Sequence, residues 1–308
     1  MIGVEPTASI IVVSFRGSER LPPTLRALSE QDTQEPFEVI LVASGDDNGW
    51  TASITYEFPW VSIVSIPHRL RPGPARNVGV QASSGRVIAF APDDGIPRRD
   101  WLRRRVALHA QGAEIVGGSI TNADGHRYIQ RVSHLHEYAA LAPHTPTLQA
   151  QAVPHAISYV RTIYDTVGPY PEDVLTGEDT LFNTAAASFA RRVEFDGDIQ
   201  MGHPALPTWK ANLRHQVQHG RGLMQCTLEH GLLSTIGLPT SRREAAWRCL
   251  AVYPSTCAWK KWQRGRRQPM SKRARDLMLF AGVFVLAVAT GLGALREWNE
   301  RPVGPEHG

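Results

Sequence analysis

Residues 87–95 read VIAFAPDDG, a short apolar run that ends in two adjacent carboxylates, Asp93 and Asp94. Carboxylates at a strand end can hold Mg2+ or Mn2+, ions that keep some water and share their remaining coordination with substrate phosphates. Such an ion neutralises a diphosphate leaving group. Upstream, Arg71 and Arg76 carry guanidinium forks that match phosphate oxygens. Asp-Asp-Gly is also ordinary turn sequence, because Asp and Gly both favour tight turns. A second acidic pair, Glu178-Asp179, precedes a Thr-Leu-Phe-Asn stretch of helical character, where acids complement the helix dipole. His215 and His219 stand four residues apart, which is a metal-ligand spacing. The residues between them are Gln-Val-Gln, without the glutamate of a metalloprotease helix. Two histidines on a helix surface are expected there, beside a packed stripe of Trp209, Leu213 and Val217.

These side chains need elements to position them. Ser9–Phe15 (SIIVVSF) is a continuous β-branched run, as in a strand covered on both faces. Leu21, Leu25 and Leu28 recur at helical spacing over residues 21–30. Residues 37–42 and 61–66 read as further strands, and Pro74–Ser84 as a helix opened by proline. Residues 86–91 form a fourth strand, Asp100 is placed to cap the next helix, and residues 114–120 form another strand. Strand–helix alternation predicts an α/β domain with a mostly parallel sheet. In such sheets ligands bind beyond the carboxyl ends of the strands. That rule selects Ser14, Phe15 and Arg16 after the first strand. After the second it selects Ala43, Ser44, Gly45, Asp46 and Asp47, and after the fourth Asp93 and Asp94.

The 308 residues suffice for a sizeable core. The three cysteines, Cys226, Cys249 and Cys257, form no CxxC pair, so a disulfide framework is not expected and a reducing compartment fits. The first residues lack the basic start and long apolar run of a signal peptide. The net charge of +4 is unevenly distributed: residues 210–275 hold 14 Lys/Arg against 2 Asp/Glu, and the rest of the chain is net acidic. Basic segments suit nucleic acid or an anionic membrane surface. This one leads into Leu277–Leu295, 19 residues without a charge. At ~1.5 Å per residue they reach roughly 28 Å, near the ~30 Å of a bilayer core. A buried core helix would give the same pattern. Lys272, Arg273 and Arg275 just before the stretch place the preceding globule on the cytoplasmic side of a membrane. Arg242–Tyr253 and Trp259–Arg267 mix aromatics with cations, as interfacial anchors do. No nucleic-acid motif is present, and nucleic acid is not expected as a partner.

The order of these motifs, from about Ser9 to Gly222, resembles that of the family 2 glycosyltransferases, which have the GT-A fold. The matching features are the hydroxyl-bearing turn Ser14-Phe15-Arg16, the helix start Gly73-Pro74-Ala75-Arg76-Asn77 and the strand ending in Asp93-Asp94. Pro97, Trp101-Leu102, Gly168-Pro-Tyr-Pro-Glu172, Gly177-Glu178-Asp179-Thr180, His203-Pro204 and residues 216–222 (QVQHGRG) follow in family order. The resemblance implies a nucleotide-diphospho-sugar donor and a divalent cation, Mg2+ or Mn2+, with Asp94, Asp93 and His203 as metal ligands. It implies an inverting attack by an acceptor hydroxyl, with Asp179 as general base and Glu178 as its neighbour and substitute. Donor contacts would come from Ser14, Arg16, Ser44, Asp46, Arg71, Arg76, Asn77, Asp93 and Arg221. With the apolar stretch it implies a membrane-held acceptor, a glycan or lipid-linked molecule. The expected organisation is a GT-A domain over residues 1–230, a basic aromatic helical segment over 231–276, a candidate transmembrane helix over 277–295 and a tail over 296–308.

The sequence departs from the family pattern at three places. Pro92 stands where the first acid of the DxD pair is usual. Ala43 and Ser44 stand where acids usually read the nucleotide base, with Asp46 and Asp47 close by. Ala156 stands where asparagine is common. These changes leave open an altered donor site, a weaker metal dependence, or a non-catalytic nucleotide-sugar-binding subunit of a polysaccharide assembly complex. Arg76, Asp94, Glu178 and Asp179 favour an active enzyme.

Overall fold

Ile10, Ile11 and Val12 are fully buried at the centre of β1 (Ala8–Phe15), which explains its unbroken apolar character. The structure, a computed structural model, describes residues 5–17, 19–46, 49–123, 125, 127–143, 157–232, 234–267 and 277–301. The expectations for Asp47, Ala156, Lys272, Arg273 and Arg275 lie outside the described residues. Around β1 run β2 (Phe37–Ser44), β3 (Ser62–Ile66) and β4 (Val87–Pro92), all parallel. Together with β5 (Ile96–Pro97), β6 (Ile115–Asn122), β7 (Ser158–Val160) and β8 (Val193–His203) they form one sheet in the order β3-β2-β1-β4-β7-β6-β8-β5. β7 runs against β4 and β6, and β5 runs against β8, while β8 is parallel to β6. The carboxyl ends of β1, β2, β3, β4, β6 and β8 therefore share one edge of the sheet, which fits the expected mostly parallel α/β fold. Pro92 occupies the last paired position of β4, opposite Val13, where a missing N–H disturbs the ladder least.

The first half of the chain also contributes α1 (Leu21–Ser29), α2 (Thr51–Glu57), α3 (Pro72–Gln81) and α4 (Trp101–Ala110). Leu21, Leu25 and Leu28 are the buried face of α1, as their spacing predicts. Asp100 stands at the start of α4 but does not cap it through its side chain. Its carboxylate instead accepts from Arg98 Nε at 2.6 Å and Arg104 Nε at 2.7 Å, because two guanidinium forks outcompete a backbone amide. Sheet and helices, with α6 (Arg161–Val167) and α7 (Glu178–Phe189), make one compact unit comprising Met1–Ala123, Thr145–Glu172 and Glu178–Pro204.

A second unit comprises Asp124–His144, Asp173–Gly177 and Ala205–Gly308. Its helices are α5 (Tyr128–Tyr138), α8 (Trp209–His230), α9 (Arg242–Trp247), α10 (Tyr253–Arg267) and α11 (Leu277–Glu300), with a π-helical turn at Arg248–Val252 joining α9 to α10. The sequence-based boundary at residue 230 thus differs from the division seen here, since α5 and α8 belong to the helical unit. α11 runs past the expected end at Leu295 because Glu297 finds cationic partners: it accepts from Arg221 Nε at 2.8 Å and Arg301 Nε at 3.0 Å. Among the described residues, α11 alone is long and apolar enough to cross a membrane, and 56% of its apolar window is buried within the structure. Met278, Val285 and Leu292, each seven residues apart, leave an exposed apolar stripe along it. The packed stripe of α8 also differs from expectation. Trp209 stays exposed and Leu213 and Val217 are half-buried, while Asn212, Gln216 and Gly220 are buried. α11 approaches too closely for large side chains there: a Cβ on Gly220 would meet the carbonyl oxygen of Thr290.

Candidate active site

At the end of β4 the chain reverses through Pro92-Asp93-Asp94-Gly95, closed by the Gly95 N–H donating to Pro92 O at 3.2 Å. The turn points its two carboxylates in different directions. Asp93 Oδ2 accepts from Ser14 Oγ at 2.6 Å, and Asp93 O accepts from Thr24 Oγ1 at 3.1 Å. Burial pushes the Asp93 carboxyl above the ordinary range; the Ser14 hydrogen bond opposes this, and neighbouring Asp94 adds to it. Asp94 Oδ1 lies 3.2 Å from His203 Nε2. The two meet because β5 pairs with β8, Ile96 opposite Gly202, which brings the end of β8 beside the turn. His203 Nδ1 lies 2.9 Å from Pro204 O, and since a carbonyl only accepts, Nδ1 is the nitrogen that carries the proton. In the neutral ring, Nε2 then presents a lone pair to the Asp94 carboxylate. Two acceptors at that distance need a proton or a cation between them. One carboxylate and one imidazole this close fit a divalent cation of the Mn2+ type.

The end of β2 packs against the end of β1. Ser44 Oγ donates to Ser14 O at 3.3 Å, and the Arg16 N–H donates to Ser44 O at 2.9 Å with Arg16 in the left-handed region (φ 59°). Phe15, next to it, is 41% exposed despite its size. The guanidinium carbons of Arg16 and Arg69 lie 5.4 Å and 4.8 Å from its ring centroid. Arg69 joins the candidate residues here although the sequence did not single it out; its position two residues before Arg71 was the available signal. Asp46 is committed locally: its Oδ2 accepts from Ser65 Oγ and Thr51 Oγ1, both at 2.6 Å, and these bonds hold its pKa below the ordinary value. Asp46 thus ties the loop after β2 to β3. Arg71 is the extended residue that starts α3.

The Gly73–Asn77 segment at the start of α3 organises the second acidic pair. Arg76 Nη1 donates to Glu178 Oε1 in an ion pair whose side chains are 16% and 6% exposed. Burial alone would lower the Arg76 pKa; Glu178 and then Asp179 outweigh it and keep the guanidinium charged. Its carbon lies 5.8 Å from the Phe90 ring and 5.5 Å from the Tyr170 ring. Tyr170 stacks on Phe182 of α7 with centroids 4.1 Å apart. Asn77 is buried and its amide capacity is filled: Nδ2 donates to Tyr170 O and Glu172 Oε1, and Oδ1 accepts from Tyr170 N and Tyr164 Oη. It therefore clamps the Gly168–Glu172 loop and has no bond left for a donor. Gly73 lies against that loop, where a Cβ would meet the carbonyl oxygen of Pro171. Asp179 is half-buried, and its Oδ1 accepts from Thr180 N at 2.7 Å at the start of α7.

Twelve of the thirteen residues selected from sequence lie in the sheet unit; Arg221 belongs to the helical one. Arg221 is engaged there by Glu297 (Nε to Oε2, 2.8 Å) and Glu300 (Nη2 to Oε2, 2.6 Å), so its guanidinium joins α8 to α11.

Comparison with known proteins agrees with this architecture. Residues 9–166, just over half of the chain, match the glycosyl transferase family 2. The chain belongs to that family and is a glycosyltransferase. It is 26% identical over 235 residues to the glycosyltransferase AglE of Haloferax volcanii, across 73% of this chain and 75% of that protein. Among solved structures, the mannosyltransferase PcManGT of Pyrobaculum calidifontis, in complex with GDP-Man and Mn2+, superposes with a TM-score of 0.62 at 17% identity. That match covers 97% of this chain and 89% of PcManGT. S. aureus TarS 1-349 in complex with UDP-GlcNAc superposes with a TM-score of 0.54 at 15% identity, over 95% and 92% of the two chains. These likenesses establish the GT-A fold.

Proposed function

We propose that the protein moves a sugar from a nucleotide-diphospho-sugar to a glycan or lipid-linked acceptor at the cytoplasmic face of a membrane, with inversion at the anomeric carbon. The observation that carries this reading is the meeting of Asp94 and His203 at the carboxyl edge of the sheet, 3.2 Å apart and set up to share a cation. Asp94 and His203 would hold Mg2+ or Mn2+, with Asp93 behind them fixed by Ser14. The ion supplies positive charge to the departing diphosphate. The exposed Phe15 ring, flanked by Arg16 and Arg69, suits a nucleotide, with an aromatic face for the base and guanidinium groups for phosphates. Asp179 takes the proton of the acceptor hydroxyl as the new C–O bond forms and the bond to the diphosphate breaks. Glu178 is unsuited to that task, because it is buried in the ion pair with Arg76; the pair positions the start of α7, and Asp179 with it. The names of two relatives support a nucleotide-sugar donor, since PcManGT was solved with GDP-Man and TarS 1-349 with UDP-GlcNAc.

The membrane part of the proposal rests on the helical unit. The exposed stripe Met278-Val285-Leu292 and the exposed Trp247 and Trp259 on the basic α9–α10 segment suit lipid and its interface. The functional test is release of free nucleoside diphosphate from a panel of nucleotide sugars with Mg2+ or Mn2+. Release in the wild type that is lost in Asp94→Asn and Asp179→Asn supports the proposal. Release that survives both substitutions refutes the assigned roles.

A further inference from the structure

One cluster of metal-ligating side chains has no part in this reaction. Glu137 of α5 and His215 and His219 of α8 each bring one ligand atom to within 4.8 Å of the others. The two imidazole centroids are 4.1 Å apart, and His215 Nε2 lies 3.9 Å from Glu137 Oε1. We propose that Glu137, His215 and His219 form a transition-metal site of the Zn2+ class within the helical unit, joining α5 to α8.

Residues four apart on a helix face the same side, so His215 and His219 can reach one ion. The expectation of two plain surface histidines arose because no acid stands between them; the acid comes from a different helix. Two imidazoles and one carboxylate are a donor set that holds Zn2+ with a fourth position open to water. The set disfavours Mg2+, which prefers oxygen ligands, so the site is chemically distinct from the Asp93–Asp94 turn. Metal–ligand distances of about 2.0–2.2 Å bring tetrahedral donors to about 3.4 Å from one another, a closure that side-chain rotation supplies.

The carboxylate is also held in place from behind. Gln216 Nε2 donates to Glu137 Oε1. Gln216 is buried, and its Oε1 accepts from Thr290 Oγ1 and His136 Nε2, both at 3.0 Å. Outer partners of this kind orient a ligand and strengthen metal binding. Access exists as well: the His215 and Glu137 side chains are 41% and 20% exposed. A second group, Asp173, Glu229 and His230, is exposed, and Glu229 is already paired with Arg301. It serves as the control.

The test uses the full chain without a polyhistidine tag, in excess Mg2+, titrated with Zn2+ against a competing chelator and with Co2+ followed by visible absorption. The expected result is one tight Zn2+ per chain and Co2+ d–d bands of a low-coordinate nitrogen/oxygen site. His215→Ala and His219→Ala should each weaken Zn2+ binding by at least ~10-fold and abolish the bands. Glu137→Gln should act in the same direction, while Asp94→Asn and His230→Ala leave affinity and spectrum unchanged. Circular dichroism of each variant verifies that the helices persist, and the wild-type Co2+ spectrum stands independently of the variants. The proposal is overturned if the wild type shows no such bands, if the two histidine variants bind Zn2+ as the wild type does, or if the site disappears in Asp94→Asn.

Discussion

Replacing Arg76 with leucine would leave the Glu178 carboxylate buried without its cation. The Arg76 and Glu178 side chains are only 16% and 6% exposed, so water cannot substitute for the lost partner. Breaking a buried pair on one side costs about 3–5 kcal/mol, most of it the penalty of stranding the remaining charge. Loss of the guanidinium contacts to Phe90 and Tyr170 adds to this. A loss of that size should lower the melting temperature by ~10 °C. The assay is urea unfolding of Arg76→Leu, Glu178→Leu and the double variant, followed by tryptophan fluorescence. Both single variants should be strongly destabilised. The double variant should recover much of the loss, because two apolar groups no longer strand a charge, while transfer activity stays low because the start of α7 is no longer fixed. A cost below ~1 kcal/mol for Arg76→Leu, or a double variant as unstable as the sum of the singles, would refute this reasoning.

Gly73→Ala should lower both stability and activity, because the new methyl meets the Pro171 carbonyl oxygen and displaces the loop that Asn77 clamps; thermal melts and donor turnover measured together check this, and a silent substitution would contradict the close approach. His109 gives the sheet unit a definite acid sensitivity. It is buried between Ala113 O at 2.7 Å and Ser158 Oγ at 2.8 Å, and burial pushes its pKa down to about 4. A histidine with a depressed folded pKa stabilises the fold above its unfolded pKa of about 6.5, and that contribution is lost as pH falls from there toward 4, at about 1.4 kcal/mol per unit. Urea midpoints measured from pH 7 to 4 should fall accordingly, and His109→Gln should flatten the slope; an unchanged slope would assign it to other groups.

The sheet and the strand-end residues were legible because they are local. Short apolar runs give β1, β2 and β4, and the rule that ligands bind past the carboxyl edge selects Ser14, Ser44, Asp93 and Asp94 without any pairing information. What connects those residues was not legible. The meeting of Asp94 with His203 depends on the two-residue strand β5, too short to carry a sequence signal, pairing with the end of β8. Arg76 and Glu178 are far apart in sequence and come together only through packing of Tyr170 and Phe182. Asn77 and Arg221 were expected at the donor because they stand in motifs that resemble the family's, and the partners they meet in the structure, Tyr170 and Glu297, are distant in sequence. The buried face of α8 was misplaced for a similar reason. Hydrophobic periodicity selects Trp209, Leu213 and Val217, but the tight approach of α11 requires a glycine at Gly220 and a hydrogen-bonding residue at Gln216, while Asn212 is buried on the carbonyls of Leu206 and Thr208. Glu137 escaped notice beside His215 and His219 because ligands on separate helices share no spacing.

Pro92 answers for the altered acidic pair. As the last paired residue of β4 it starts a turn that gives Asp93 to Ser14 and Asp94 to His203, so the second carboxylate keeps a position suited to a cation although the first acid of the usual pair is absent. The most direct measurement of this claim is Mn2+ binding by electron paramagnetic resonance, with and without a nucleoside diphosphate, in the wild type and in Asp94→Asn. Bound Mn2+ that increases with the nucleotide in the wild type, and is weakened at least ~10-fold by Asp94→Asn, is the predicted result. Equal nucleotide-dependent Mn2+ binding in both proteins would contradict it.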